Sequence, residues 1–244
     1  MASPNSLYYF INQFNISKNR RHPLHLVYTG DNFKELKQFI IEKADIIRAV
    51  PIKITNKSRL YKILRYIDYI ANYNKIFFII EDIRQVFSRD LDDYMFLDLA
   101  SKGVYYKLDG KWYSVRFLIN TTLENFLYYI NNHLKDKRLY SFLGRCIFGT
   151  YFDPNTKVYP TKKRVILTKE LEDYLFTLAE YVASNYVKRF MLSLPIYSTN
   201  YTLLKYALKG TIETISSIMT IGNRPKVINK KIIELAADYI LRVL

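Results

Sequence analysis

The chain has 244 residues, 50% of them hydrophobic, with 37 Lys and Arg against 22 Asp and Glu and a single cysteine. A chain of this size buries one good core or two small ones, one cysteine excludes an internal disulfide framework and a cysteine-rich zinc site, and no run approaches the roughly 18 uncharged apolar residues of a membrane span. The formal net charge of +15 points to a polyanionic partner, of which nucleic acid is the usual one.

Residues 1–23 carry the apolar run 7–11 and then the basic Lys18-Asn19-Arg20-Arg21. They read as an N-terminal extension: a short anchor and a charged turn. Met1-Ala2-Ser3-Pro4 lacks a basic-plus-apolar leader pattern, so a cytoplasmic location is expected, in the host cell if the chain is viral. From Leu24 the pattern alternates. Residues 25–27 read as a strand, 33–44 as a helix and 46–54, β-branched and apolar, as a second strand. Residues 58–72 are helical, with Leu60, Ile63, Leu64, Ile67 and Ala71 on one face. The continuous apolar run 76–80 is a buried strand, and 90–101 a helix. Asp109-Gly110 joins strand-like runs at 104–108 and 112–119 as a hairpin. Such alternation predicts an α/β domain with a mainly parallel sheet over 24–153.

After Pro160 the strand signal fades. Thr168 caps a helix carrying Leu171, Leu175, Leu178 and Val182. A second carries Leu204, Leu208, Ile212, Ile215 and Met219, and Asn229 caps a third with Ile232, Ile233, Ala236 and Ile240. Residues 154–244 are therefore expected to form a small helical domain.

Between the first strand and its helix lies Tyr28-Thr29-Gly30-Asp31-Asn32-Phe33-Lys34-Glu35, the length of a phosphate-binding loop, GxxxxGK[ST]. Only Lys34 matches. Tyr28 and Phe33 replace the glycines that let backbone N–H groups converge on phosphate oxygens. Glu35 lacks the hydroxyl that ligates magnesium and repels phosphate. A plain turn with Lys34 as a surface lysine explains the same residues.

Strand 76–80 ends in Glu81-Asp82. Ligands bind at the C-terminal edge of open α/β sheets, and paired carboxylates there hold magnesium or orient water; the alternative is a pair of helix-capping acids. The strand after the hairpin ends in Asn120-Thr121-Thr122, and Arg145 precedes the apolar Cys146-Ile147-Phe148. The hairpin itself, with Tyr105, Tyr106, Lys107, Lys111, Trp112, Tyr113 and Arg116, combines phosphate-neutralising charge with rings that stack on bases. Packed rings and solvated lysines are the alternative. Lys162, Lys163 and Arg164 add a basic patch or a solvated linker.

The order of loop, acidic strand end, hairpin, Asn-ended strand, Arg before an apolar strand, and helical lid resembles the AAA+ ATPase module. The hairpin before the Asn strand is similar to that of the MCM-type helicase clade. The resemblance implies a P-loop/AAA+-like core with a helical lid and strand order 5-1-4-3-2, which puts the Asn120 strand between the first strand and the Glu81 strand. It implies Lys34 as the P-loop lysine, Glu81 and Asp82 as the Walker B pair, Asn120 as sensor 1 and Arg145 as an arginine finger. Lys205 or Lys209 would stand near sensor 2, where no arginine is found. With the P-loop degenerate, no cofactor is expected, and ATP with magnesium only if the site is still competent.

The expected function is a DNA-associated replication or recombination factor without ATP hydrolysis, acting on DNA or on other AAA+ subunits in a homo- or hetero-oligomer, with no membrane role. One alternative is a magnesium-dependent DNA nuclease built on Glu81, Asp82 and Asp109; another is a non-catalytic viral DNA-binding or structural protein. The 23 Tyr and 15 Phe against 7 Gly fit an AT-rich genome and a hot habitat, as for a virus or plasmid of a thermophilic archaeon.

Overall fold

Six strands form one sheet in the computed structural model, which describes residues 6–16, 22–86, 94–159, 165–190, 192–221 and 227–243. The chain begins with α1 (Ser6–Asn12), a 3-10 turn (Gln13–Asn15), β1 (His25–Tyr28), α2 (Phe33–Ile47), β2 (Val50–Ile54), α3 (Lys57–Arg65), α4 (Ile67–Ile70) and β3 (Lys75–Ile80). Next come α5 (Ile83–Val86), α6 (Tyr94–Lys102), β4 (Val104–Tyr106), β5 (Trp112–Asn120), α7 (Leu123–Asn132), α8 (Lys137–Leu143) and β6 (Cys146–Gly149). Three helices close the chain, α9 (Glu170–Arg189), α10 (Thr199–Met219) and α11 (Lys230–Val243).

The order across the sheet is β2-β3-β5-β1-β6, all parallel, and β4 pairs antiparallel with β5 as the hairpin. Leaving β4 out, this is the 5-1-4-3-2 order, with the strand of Asn120 between β1 and β3. Both faces are covered, so the strands run continuously apolar rather than alternating. Phe10 and Phe14 pack against Phe77 at 5.0 and 4.7 Å between ring centroids, the second edge-on. On β5, Phe117 lies opposite Phe78 and meets Phe96 of α6 at 4.8 Å. Neighbouring residues of a strand point to opposite faces, so α1 and α6 lie on opposite sides of the sheet.

Residues 6–16 are thus an extension in sequence but not in space. Leu7, Phe10, Ile11 and Phe14 are buried in the common core. Ser6 Oγ donates to the Phe148 carbonyl at 2.5 Å and shares a 2.7 Å hydrogen bond with the Tyr239 hydroxyl, tying α1 to β6 and α11.

Some element boundaries move. α2 continues through Ile46 and Ile47, read above as strand, and ends because Arg48 adopts a left-handed φ of 53°. The helix expected over 58–72 breaks at Tyr66 into α3 and α4, with Asn56 capping α3 through its side chain. Thr168 does not cap α9 with its side chain, whereas Asn229 Oδ1 accepts from the Ile232 N–H at 3.0 Å as expected. α7 and α8 go beyond the sequence reading; Thr122 and Asp136 cap them.

His25 shows how tightly the sheet is closed. Its Nδ1 accepts the Phe117 N–H at 3.1 Å, and Nε2 lies 2.7 Å from the Ala100 carbonyl, which it meets as a donor in the neutral ring. Burial, partly opposed by that carbonyl, lowers its pKa to about 3 from 6.5. The unfolded chain takes up this proton first, so acid favours unfolding from about pH 6.5 downward. Stability should fall by up to roughly 1.4 kcal/mol per pH unit there. Urea unfolding at about pH 8 and about pH 5 measures the slope, which His25→Asn should flatten even though it lowers stability overall.

Candidate functional site

Parallel pairing sends the C-terminal ends of β1, β2, β3, β5 and β6 to one edge, the edge at which α/β sheets bind ligands. Glu81, Asp82, Asn120 and the 29–32 loop meet there. Asn120 Nδ2 donates to the Glu81 carbonyl at 3.0 Å, and the Thr121 N–H to the Tyr28 carbonyl at 3.0 Å. The spatial grouping of Glu81 with Asn120 is as the sequence implies.

The details around it differ from a phosphate site. Glu81 Oε1 lies 2.7 Å from Lys37 Nζ and Oε2 lies 2.7 Å from Lys53 Nζ. These hydrogen bonds, Lys37 first and Lys53 second, hold the Glu81 carboxyl below the ordinary carboxylate range. Asp82 is engaged by Arg84: its Oδ1 caps the Arg84 N–H at 2.9 Å, and its Oδ2 meets Nη2 at 2.9 Å. The Arg84 side chain lowers the Asp82 pKa. Lys34 is exposed in the first turn of α2 and lines a separate open cleft of about 440 Å³ with Glu35, Phe39 and Phe152. The α2 lysine that reaches the acidic strand end is therefore Lys37, one turn later.

Tyr28 occupies the inside of the loop. Its side chain is 1% exposed, its hydroxyl donates to Asn32 Oδ1, and its ring packs beside Phe33 at 6.1 Å. Burial, with the charges of Asp31 and Glu35, raises its pKa to about 12 and keeps the hydroxyl a donor. A Cβ on Gly30 would press on this hydroxyl and on the Thr150 carbonyl oxygen. Glycine is needed here for close approach of the loop to a side chain and a neighbouring strand end.

The opposite, N-terminal edge holds the hairpin turn. Lys107, Asp109 and Lys111 sit at the hairpin turn before β5, about 20 Å from Glu81 by the length of the strand. The nuclease arrangement of Glu81, Asp82 and Asp109 is therefore not assembled, and among the described residues no three His, Cys, Asp or Glu side chains gather as a metal site. Lys107 pairs with Asp68 of α4, which also accepts from the Tyr113 hydroxyl, while Lys111 Nζ lies 3.9 Å from Asp68. Lys111 is exposed and Trp112 half-buried.

Arg116 is a correction. It is 2% exposed and cannot meet DNA. Nε donates to Gln13 Oε1 at 2.8 Å, Nη1 to the Gly103 carbonyl at 2.9 Å, and the guanidinium lies over the Phe14 ring at 5.0 Å. Arg145, at the N-terminal end of β6, is half-buried. Its Nη1 donates to the Ser141 carbonyl at 2.7 Å and to Ser141 Oγ. Burial lowers the pKa of Arg116 to about 9 and that of Arg145 to about 10, both cationic at neutral pH. Lys205 and Lys209 do not reach the acidic edge either: they lie over the Phe176 ring at 4.7 and 5.6 Å, and Lys205 faces Glu180 at 3.8 Å. Lys162, Lys163 and Arg164 lie outside the described residues.

Lys37, Lys53 and Asp68 are what sequence reasoning missed. The alternation of buried Ile52, exposed Lys53 and buried Ile54 is the one local signal that could have placed a lysine at this edge. Gly30→Ala should cost about 1–3 kcal/mol through overpacking. Tyr28→Phe, which removes only the hydroxyl, should cost about 1 kcal/mol; chemical denaturation of the two variants checks the order.

No protein-family model and no curated protein matches the sequence. Among solved structures the chain is similar to a full-length MCM homologue from Methanopyrus kandleri, with a TM-score of 0.53 and 12% identity. The match covers 98% of this chain and 55% of that one, so the chain spans about half the length of the structure it resembles. At that identity the likeness is one of fold. The fold is a P-loop/AAA+-like α/β core with a helical part.

Proposed function

We propose that this chain is a DNA-associated, AAA+-like replication or recombination factor that no longer hydrolyses ATP and acts by binding DNA, a partner ATPase, or both. The observation that carries the reading is the state of the acidic sheet edge. Tyr28 fills the loop that would cradle phosphates, and Glu81, the carboxylate that would serve magnesium or water, is neutralised by Lys37 and Lys53 of the same chain. Phosphate and magnesium would have to displace both arrangements. Asp31 and Glu35 add negative charge beside the loop, which opposes an anionic ligand further.

Binding is the remaining capacity. The net charge of +15 supplies the long-range attraction for a polyanion, and the hairpin presents Lys111 with exposed Tyr106 and Leu108. The MCM-like fold supports DNA as the polyanion.

Single-stranded DNA should bind at low salt and weaken steeply as salt rises, by about tenfold or more between ~50 and ~200 mM for several phosphate contacts. Lys111→Ala should reduce the salt slope by about one unit. Fluorescence anisotropy of a labelled oligonucleotide reads both. Absence of binding even at low salt would overturn the DNA reading and leave the charge as surface alone.

A further inference from the structure

The stretch 150–169 joins the sheet to α9–α11. A hinge between the two parts would lie there, since hinges are loop residues that absorb changes in φ and ψ. Between 157 and 159 its backbone is held instead. Asn12 Nδ2 donates to the Lys157 carbonyl at 2.8 Å, and Asn12 Oδ1 accepts the Tyr159 N–H at 3.0 Å. Asn15 Nδ2 donates to the Tyr159 carbonyl. A carboxamide carries donor and acceptor side by side, so it grips a backbone as a neighbouring strand would. Both asparagines are buried, at 0% and 1% exposure, which shields these bonds from water. The Tyr8 ring meets Tyr159 edge-on at 6.3 Å.

The same short segment is fastened to both parts. Between the two asparagines, Gln13 is bonded to the core. Its Oε1 accepts the Leu24 N–H and the Arg116 Nε–H, each at 2.8 Å, and its Nε2 donates to the Leu24 carbonyl at 2.8 Å. Toward α11, Ser6 Oγ lies 2.7 Å from the Tyr239 hydroxyl, and Tyr9 packs edge-on against the Tyr239 ring at 4.7 Å. A separate joint lies at the end of α8. There the Tyr186 hydroxyl donates to the Leu143 carbonyl at 3.0 Å, and Thr211 Oγ1 to the Gly144 carbonyl at 2.7 Å. Gly144 lets α10 come close, since a Cβ on it would lie 2.6 Å from the Ala207 Cβ.

We infer that residues 6–16 are a strap that locks the helical part against the sheet, with Asn12 and Asn15 as its catch on the hinge. Held at the α8 joint alone, α9–α11 could turn about that joint. The strap adds a second anchor, on α11 and on the connector, and two anchors remove the rotation. A lid that opens and closes on a ligand needs such a rotation, so the strap makes the helical part a fixed wall rather than a lid. The inference goes beyond the reading above and does not depend on DNA binding.

Nitroxide labels at Ile41→Cys on α2 and Tyr181→Cys on α9, both exposed positions, report the separation of the two parts by double electron–electron resonance. Cys146 is buried and takes no label. The otherwise unaltered chain should give one narrow distance. Asn12→Ala/Asn15→Ala cuts the catch and leaves Leu7, Phe10, Ile11 and Phe14 in the core. It should shift or split that distance while circular dichroism keeps its helix signal. A broad or double distribution before the catch is cut would overturn the lock. A narrow, unshifted one after it is cut would overturn the role given to the asparagines. If the double variant does not fold, Asn12→Ala alone carries the same two outcomes.

Discussion

Parallel pairing of β3, β5, β1 and β6 in one register is the constraint from which the rest of the molecule follows. The strands run largely buried from end to end, so exposed polar groups are confined to their two ends. At the C-terminal edge stand Tyr28, Lys53, Glu81 and Asn120; at the N-terminal edge stand the hairpin turn and Arg145, while Arg116 is buried within β5 opposite Phe77. About 20 Å of apolar strand separates the two sets. No arrangement of side chains can merge them into one site, and each edge has to be understood by its own partners.

At the C-terminal edge the chain supplies its own counter-ions. A carboxylate between two ammonium groups at 2.7 Å needs no metal to be stable, although pairs this exposed contribute modestly to stability. Toward the other edge the buried Arg116 and the half-buried Arg145 both reach helix ends. The last carbonyls of α8 are all used: Tyr140 by the Gly144 N–H, Ser141 by the Arg145 guanidinium, Phe142 by the Arg145 N–H, and Leu143 by the Tyr186 hydroxyl. The end of α6 is closed in the same way by His25 at Ala100 and Arg116 at Gly103. Cations at helix C-termini are favoured by the unpaired carbonyls and the dipole they represent, which favours both guanidiniums at these ends.

How far the sequence could be read follows from the range of the interactions. The apolar run of β3, the Asp109-Gly110 turn and the Asn229 cap are local signals, and the structure keeps them. The strand order was implied by the resemblance to the AAA+ module and not by any of these local signals. Arg116 was misjudged because its partner Gln13 is about a hundred residues away in the chain, and the position looks like one more charge on a basic hairpin. The partners of Glu81, Lys37 and Lys53, could not be read from its neighbourhood because they belong to other elements. Local chemistry also misled in small ways: α2 runs on past 44 because a left-handed arginine, not a glycine, ends it, and glycine is the usual mark of such an end.

The closed state of the C-terminal edge is the central physical claim, and equilibrium binding of labelled ATP with magnesium tests it most directly. A loop occupied by Tyr28 and a carboxylate held by two lysines predict no saturable binding at nucleotide concentrations up to the millimolar range. Saturable, magnesium-dependent binding that disappears in Lys34→Ala would contradict the claim, because it would mean that Tyr28 leaves the loop and that Lys34 takes the phosphate.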